Sequence, residues 1–231
     1  QYINILIMLD LLEDQFLMFK LDRLADSLAL NRDVIKMTLG KSELPLNKNI
    51  LNAITEAVNS DEKRNKVYSG GLPELKEALI TYYNNKYGKL INEGEIIIST
   101  GTSALFRNIY QVLLCENDEI LLPKPYYPLY VICAKILRIG TIKYYNINLD
   151  TMKIDMESFI RNFTDKTKIV VINSPGNPLG NIITKEEIME MDRIINGKAT
   201  IISDEIYSNM YFNESMAYSL LQLNISSQYI I

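Results

Sequence analysis

Two adjacent carboxylates and a phenol, in Ser203-Asp204-Glu205-Ile206-Tyr207, follow directly on an apolar run. A carboxylate at the end of a buried strand needs a cation or a hydrogen-bond donor opposite it, so Asp204 is a candidate for holding a protonated group of a ligand. The same residues could instead cap a short helix. A magnesium ion is a third reading, although neighbouring acids on a strand point in different directions. Three further segments carry comparable chemistry. Thr100-Gly101-Thr102-Ser103-Ala104-Leu105 puts a glycine and two hydroxyls at a helix start, where backbone amides attract an anion. A plain strand-to-helix turn capped by Thr102 or Ser103 would use the same residues. Pro123-Lys124-Pro125-Tyr126-Tyr127-Pro128-Leu129-Tyr130 is stiffened by proline and could hold an aromatic face against a planar heterocycle, or pack its tyrosines on the rim of a core. Asn173-Ser174-Pro175-Gly176-Asn177-Pro178-Leu179-Gly180 suits presenting an amide at a fixed angle, with a generic turn as the other reading. The sequence has no histidine. Ser-His-Asp and Cys-His nucleophile systems and most zinc sites therefore drop out, leaving carboxylates, lysine, tyrosine or a cofactor to supply chemistry.

These segments need a scaffold that gathers them. From about Glu95, short β-branched runs alternate with amphipathic helical stretches, the pattern of an α/β fold with a parallel sheet. The predicted strands are Glu95–Thr100, Glu119–Leu122, Thr141–Ile147, Lys168–Asn173 and Ala199–Ser203, with another starting at Gln228–Ile231. The predicted helices between them are Ser103–Cys115, Pro128–Leu137, Asp155–Phe163 and Lys185–Ile195, the last opened by a Thr184/Glu187 capping box. Upstream, Pro73 and Gly88 bracket a helix over Pro73–Tyr87. Leu12–Leu30 reads as a further helix, leading to Asp33–Leu39 and a turn at Gly40. In open parallel sheets, ligands bind beyond the carboxyl ends of the strands. All four segments fall just past such an end, so they are expected to form one site.

The 231 residues suffice for a sizeable core, and 48% hydrophobic with 23% charged residues is ordinary for a globular protein. A net charge of −4 gives no reason to expect nucleic acid or an anionic membrane as partner. No segment is long and apolar enough to span a bilayer; Tyr2–Leu12 is short, carries Asp10 and lacks the flanks of a signal peptide. Two cysteines, Cys115 and Cys133, are too few for a disulfide framework, so a reducing cytoplasm is expected. The start at Gln1 rather than Met hints at a fragment.

Taken together and in this order, the four segments resemble the fold-type-I, pyridoxal-phosphate-dependent aminotransferases of class I/II. Val34-Ile35-Lys36-Met37-Thr38-Leu39-Gly40 is similar to that family's first strand and glycine turn, and Tyr68-Ser69-Gly70-Gly71-Leu72-Pro73-Glu74-Leu75-Lys76 to its Tyr…Gly-x-Pro-Glu-Leu-Arg segment. The resemblance implies a three-layer α/β/α fold with a mostly parallel sheet, here incomplete at the C-terminus. It implies an arm and part of the small domain over residues 1–45, an incomplete cofactor-binding large domain over 46–231, and no C-terminal small domain.

Its functional implication is transfer of an amino group between an amino acid and a 2-oxo acid, with pyridoxal 5′-phosphate as cofactor, in a homodimer. Gly101, Thr102 and Ser103 would hold the phosphate, Tyr127 would stack on the pyridine ring, and Asn177 and Tyr207 would bond the phenolate oxygen. Asp204 would pair with the pyridinium nitrogen and keep the ring an electron sink. Gly40 and Asn177 would lie near the substrate carboxylate, and Tyr68 would reach the phosphate of the neighbouring subunit's site. The Schiff-base lysine should follow Asp204–Tyr207 by a few dozen residues, yet no lysine occurs after Lys198. The expectation is therefore an N-terminal part of such an enzyme, inactive alone. A carbon–sulfur lyase, a decarboxylase and a non-catalytic pyridoxal-phosphate-binding module are the alternatives.

Overall fold

The structure, a computed structural model, describes residues 17–30, 37, 40, 44–61, 68–138, 140–210, 212 and 217–231. Along them run α1 (Leu17–Ala29), α2 (Lys48–Asn59), α3 (Pro73–Tyr87), α4 (Thr102–Leu113), β1 (Glu119–Lys124), α5 (Pro128–Leu137), β2 (Thr141–Asn146), α6 (Met156–Asn162), β3 (Thr167–Asn173), α7 (Lys185–Ile195), β4 (Thr200–Asp204) and β5 (Tyr229–Ile230). These residues fall into two compact units. One holds the described residues of Phe16–Tyr82 with Ile91–Ser99; the other holds Tyr83–Leu90 with Thr100–Ile231. The boundary expected after residue 45 falls between α1 and α2, both in the first of these.

The second unit is built on a five-stranded parallel sheet in the order β2-β1-β3-β4-β5. Successive side chains on a strand point to opposite faces, and a parallel sheet is covered on both. Ile120 and Leu122 of β1, Ile169 and Val171 of β3 and Ile202 of β4 accordingly join Phe106 and Tyr110 of α4 and the buried face of α5. Leu121, Val170, Ile172 and Ile201 point the other way, onto Phe159 of α6 and Ile188, Met191 and Ile195 of α7. The result is the parallel sheet that the alternation of runs implied, in the three-layer α/β/α arrangement that the resemblance implied.

Local signals set the helix bounds. Pro128 opens α5, where its missing N–H costs nothing. Asp155 accepts from the Ser158 amide at 2.9 Å and starts α6. The Thr184/Glu187 capping box opens α7, and Glu187 also accepts from the Ile154 amide at 2.8 Å, tying α7 to the segment before α6. One predicted strand is corrected: Glu95–Thr100 joins no ladder of the described sheet. Glu95 Oε2 accepts from the Asn92 amide at 2.8 Å and winds Glu93–Glu95 into a 3₁₀ turn, while the Ile98 amide goes to the Gly70 carbonyl at 3.0 Å. Helix α2 was not foreseen; Asn47 caps it by accepting from the Asn49 amide at 2.9 Å. The segments Tyr2–Leu12 and 12–16, and all of Asp33–Leu39 except Met37, lie outside the described residues.

Candidate functional site

The strand order carries the chain from β1 outward to β2, then back across to β3 on the other side of β1. Helices α5 and α6 consequently cover opposite faces, and the loops leaving β1 and β3 part at their carboxyl ends, where open α/β sheets bind ligands. A crevice lined by Pro123, Pro125, Asn173, Gly176, Asn177 and Asn181 lies at that switch point. It joins two of the segments singled out from sequence.

Asn173 fastens the loop after β3 to the end of β4. Its amide nitrogen donates to the Asp204 carbonyl at 2.8 Å, and its side-chain oxygen accepts from the Asn177 amide at 2.6 Å. Ser174 adds a second tie, accepting from the Ile183 amide at 2.9 Å. Gly176 leaves room for Asn181, whose Oδ1 a Cβ at 176 would meet at 2.3 Å and displace. This loop therefore has little freedom, and Asn177 is presented from a fixed base. Its amide nitrogen stands 3.5 Å from the Tyr207 hydroxyl. At that length the pair is weakly bonded and both groups can turn to a shared third atom.

Asp204 is buried at the end of β4. Its Oδ2 accepts from the Tyr130 hydroxyl at 2.6 Å, while Oδ1 receives the Ile206 amide only at 3.3 Å. Glu205 turns elsewhere, accepting from Ser203 Oγ at 3.0 Å and the Leu220 amide at 3.1 Å. Burial pushes the Glu205 carboxyl above its ordinary range, against the opposing pull of Ser219, Leu220, Ser203 and Lys86. The residues beyond Asp204 form a turn rather than the short helix that was one reading of this segment.

Tyr127 precedes α5 and packs edge-to-face on Tyr130, with ring centroids 5.7 Å apart. Burial, with Tyr207 and Asp204 close enough to act electrostatically, raises its phenol above the ordinary value. Gly101 caps α4 with φ 111°, a conformation other residues resist, and open space lies where a side chain would be. Among the described residues no hydrogen bond engages the Thr102 or Ser103 hydroxyl, so neither caps the helix as the plain-turn reading supposed. The first turn of α4 touches α5 through Cys133, whose thiol lies 3.8 Å from the Ser103 carbonyl.

One unit thus contains Gly101, Thr102, Ser103, Tyr127, Asn177, Asp204 and Tyr207, and electrostatics and hydrogen bonds link Tyr127, Asn177, Asp204 and Tyr207 directly. Gly40 and Tyr68 belong to the other unit, where both are exposed. Sequence reasoning gave Tyr130 no role. Its spacing was the available signal: three residues after Tyr127 at a helix start, it lies one turn on.

The residue set fits pyridoxal phosphate. Asp204 has an oxygen in reserve for an N–H donor, the opening of α4 offers amides and two uncommitted hydroxyls with no side chain in the way, and Asn177 and Tyr207 can share an acceptor.

A family profile described as aminotransferase class I and II matches residues 32–230. Aspartate aminotransferase of Bacillus sp. (strain YM-2) is 32% identical over 195 residues, covering 83% of this chain and 49% of that protein. Tyrosine aminotransferase of Dictyostelium discoideum is 30% identical, covering 84% and 47%. Among solved structures, aspartate aminotransferase from Thermotoga maritima superposes with a TM-score of 0.78 at 25% identity, covering 92% of this chain and 57% of that one. Alanine aminotransferase from Pyrococcus furiosus gives 0.75 at 25%, covering 84% and 50%. The chain spans about half the length of the curated relatives it matches. Segment order, sheet topology and these likenesses agree: the chain belongs to the class I and II aminotransferases, a family whose cofactor is pyridoxal 5′-phosphate.

Proposed function

We propose that this chain provides the cofactor cradle of a cytoplasmic, homodimeric enzyme that moves an amino group from an amino acid to a 2-oxo acid. The observation that carries the reading is the buried Asp204 carboxylate at the end of β4, one oxygen held by Tyr130 and the other lightly engaged. Pyridoxal phosphate, when bound, supplies the carbonyl that takes up the amino group and a protonated ring able to accept the electron pair left by the departing α-proton.

The residues of this chain do the rest. Asp204 would hold the proton on the ring nitrogen. Tyr127, edge-on against Tyr130, would cover one face of the ring. The amides of α4 with Thr102 and Ser103 would hold the phosphate, and Gly101 would let the backbone come close. Asn177 and Tyr207 would donate to the phenolate oxygen. Asn177 and Gly40 would also neighbour the substrate carboxylate, and Tyr68 would reach the phosphate in the partner subunit. Two free cysteines, one of them exposed, accord with a reducing compartment; among the described residues no helix is long and apolar enough to cross a membrane.

Equilibrium titration of the 231-residue chain tests this reading. Pyridoxal phosphate should bind at one per chain, and pyridoxal without its phosphate at least about tenfold more weakly, since hydrogen bonds to a charged group are worth about 1.5–3 kcal/mol. Equal affinity for the two compounds, or no saturable binding, contradicts it.

A further inference from the structure

We propose that Tyr130 is a positioning residue: by donating its hydroxyl to Asp204 Oδ2 it orients that carboxylate, bonds its charged form and fixes Oδ1 as the oxygen left for the ring nitrogen. The inference rests on the reading that Asp204 holds the ring-nitrogen proton, and extends it to a buried residue that bonds that carboxylate.

The contact is short, 2.6 Å, and sealed. Tyr130 is 1% exposed, with the Phe106 ring 4.6 Å away centre to centre and Tyr127 edge-on at 5.7 Å. Its hydroxyl therefore cannot swing to solvent. Burial, then the Asp204 charge, pushes the Tyr130 phenol far above its ordinary value, so it stays protonated and always donates. A hydrogen bond to the charged form of a carboxylate favours that form. This matters because the surroundings offer the anion little else. The titratable groups acting on the pair are Tyr110 of α4 and Tyr145 of β2 on Tyr130, and Tyr127 before α5 on Asp204; Tyr207 after β4 and Cys133 on α5 act in turn on Tyr127. All are phenols or thiols. Arg107 acts on Cys133, and Lys86 on Glu205, which is itself turned toward Ser203 and Leu220. Among the described residues no lysine or arginine forms an ion pair with Asp204. Without the Tyr130 hydroxyl the Asp204 carboxylate would lose this hydrogen bond and would hold a ring N–H less firmly.

Tyr130 also joins two tasks. The ring that fixes the carboxylate is the one against which Tyr127 stands, so a single side chain sets both the floor for the pyridine and the polarity at its nitrogen.

The test needs no turnover. The Asp204 carboxyl is followed by ¹³C resonance in chain labelled at aspartate Cγ and assigned by its loss in Asp204→Asn. Tyr130→Phe is expected to raise its titration midpoint by about one pH unit. Tyr145→Phe, which removes a buried hydroxyl bonded instead to the Val171 carbonyl at 2.9 Å, is expected to leave the midpoint in place. An unchanged midpoint in folded Tyr130→Phe overturns the proposal, as does an equal rise in Tyr145→Phe. If Tyr130→Phe does not fold, 3-fluorotyrosine placed at 130 keeps the ring and hydroxyl but donates more strongly, and must lower the midpoint; no movement again overturns it. With pyridoxal phosphate labelled at the pyridine nitrogen, the wild-type chain should keep the ring protonated to higher pH than free cofactor, and Tyr130→Phe should lose that proton earlier. A bound nitrogen titrating like the free compound in wild-type chain defeats the Asp204 reading, while the carboxyl titration still decides the role of Tyr130.

Discussion

The two faces of the sheet are built from different materials. Against α6 and α7 the buried surface is mostly aliphatic, with Phe159 and Tyr145 as its large rings, and its buried acids serve architecture. Glu187 caps α7, and Asp192 accepts from the amides of Ser226 and Ser227 at 2.8 and 2.9 Å, fixing the approach to β5. Burial raises the Asp192 carboxyl, but these donors outweigh it and hold the group below its usual range. The face that includes α4 and α5 gathers Tyr110, Tyr130, Tyr126, Tyr127 and Tyr144, and the Tyr130 phenol of this group bonds Asp204. One face supplies stability by volume. The other accepts polar groups in its core because they hold the reactive end of β4. Tyr110 shows what this entails: its buried hydroxyl has no hydrogen-bond partner among the described residues, a condition that stands against folding.

The contrast can be broken from either side. Phe159→Ala empties a fully buried site on the aliphatic face and should lower stability by about 3–5 kcal/mol, read by urea unfolding, with cofactor affinity in the folded fraction preserved. Asp204→Ala should do the reverse: cofactor affinity falls by roughly 10- to 150-fold, the equivalent of about 1.5–3 kcal/mol, in a chain that keeps its fold. A large fall in affinity for Phe159→Ala would blur the division of labour. Gly101→Ala forces a side chain into φ 111° and should destabilise by about 1–3 kcal/mol, with a weaker hold on the phosphate detectable by ³¹P resonance.

Glu205 gives the smallest and most specific effect. Its folded-state value lies above the ordinary one, near 4.3, so the folded chain holds this proton more tightly than the unfolded chain. Stability should then decline as pH rises from that ordinary range through the folded value. Glu205→Gln should flatten that part of the unfolding profile, and an unaltered slope assigns the pH dependence to another group.

Much of this was legible in the residues. Pro128, the Thr184/Glu187 box, and Pro73 with Gly88 mark their helices because each acts through the local backbone. The β-branched runs of β3 and β4 stand out because a strand buried on both faces has no polar side to interrupt it. Glu95–Thr100 misled for the same reason: it has strand composition, yet its amides go to a turn and to Gly70, a choice that depends on residues distant in sequence. Asp204, Asn177 and Tyr207 were visible as polar residues where a strand ends. Asn173 was noticed without its function, since bridging Asp204 and Asn177 requires the register of β3 beside β4. Tyr130 was hidden by its type, because a tyrosine in an apolar helix reads as core until its hydroxyl is seen to find an acid.

The central claim is that the loops after β1, β3 and β4 and the first turn of α4 form one site. Its most direct test is an amide-resolved ¹H–¹⁵N spectrum of the 231-residue chain during titration with pyridoxal phosphate. The account predicts saturable shifts concentrated at Gly101, Thr102, Ser103, Tyr127, Asn177, Asp204 and Tyr207, with contacts from the cofactor's ring protons to the Tyr127 ring. Shifts that leave Thr102, Asn177 and Asp204 unmoved and gather elsewhere would contradict it.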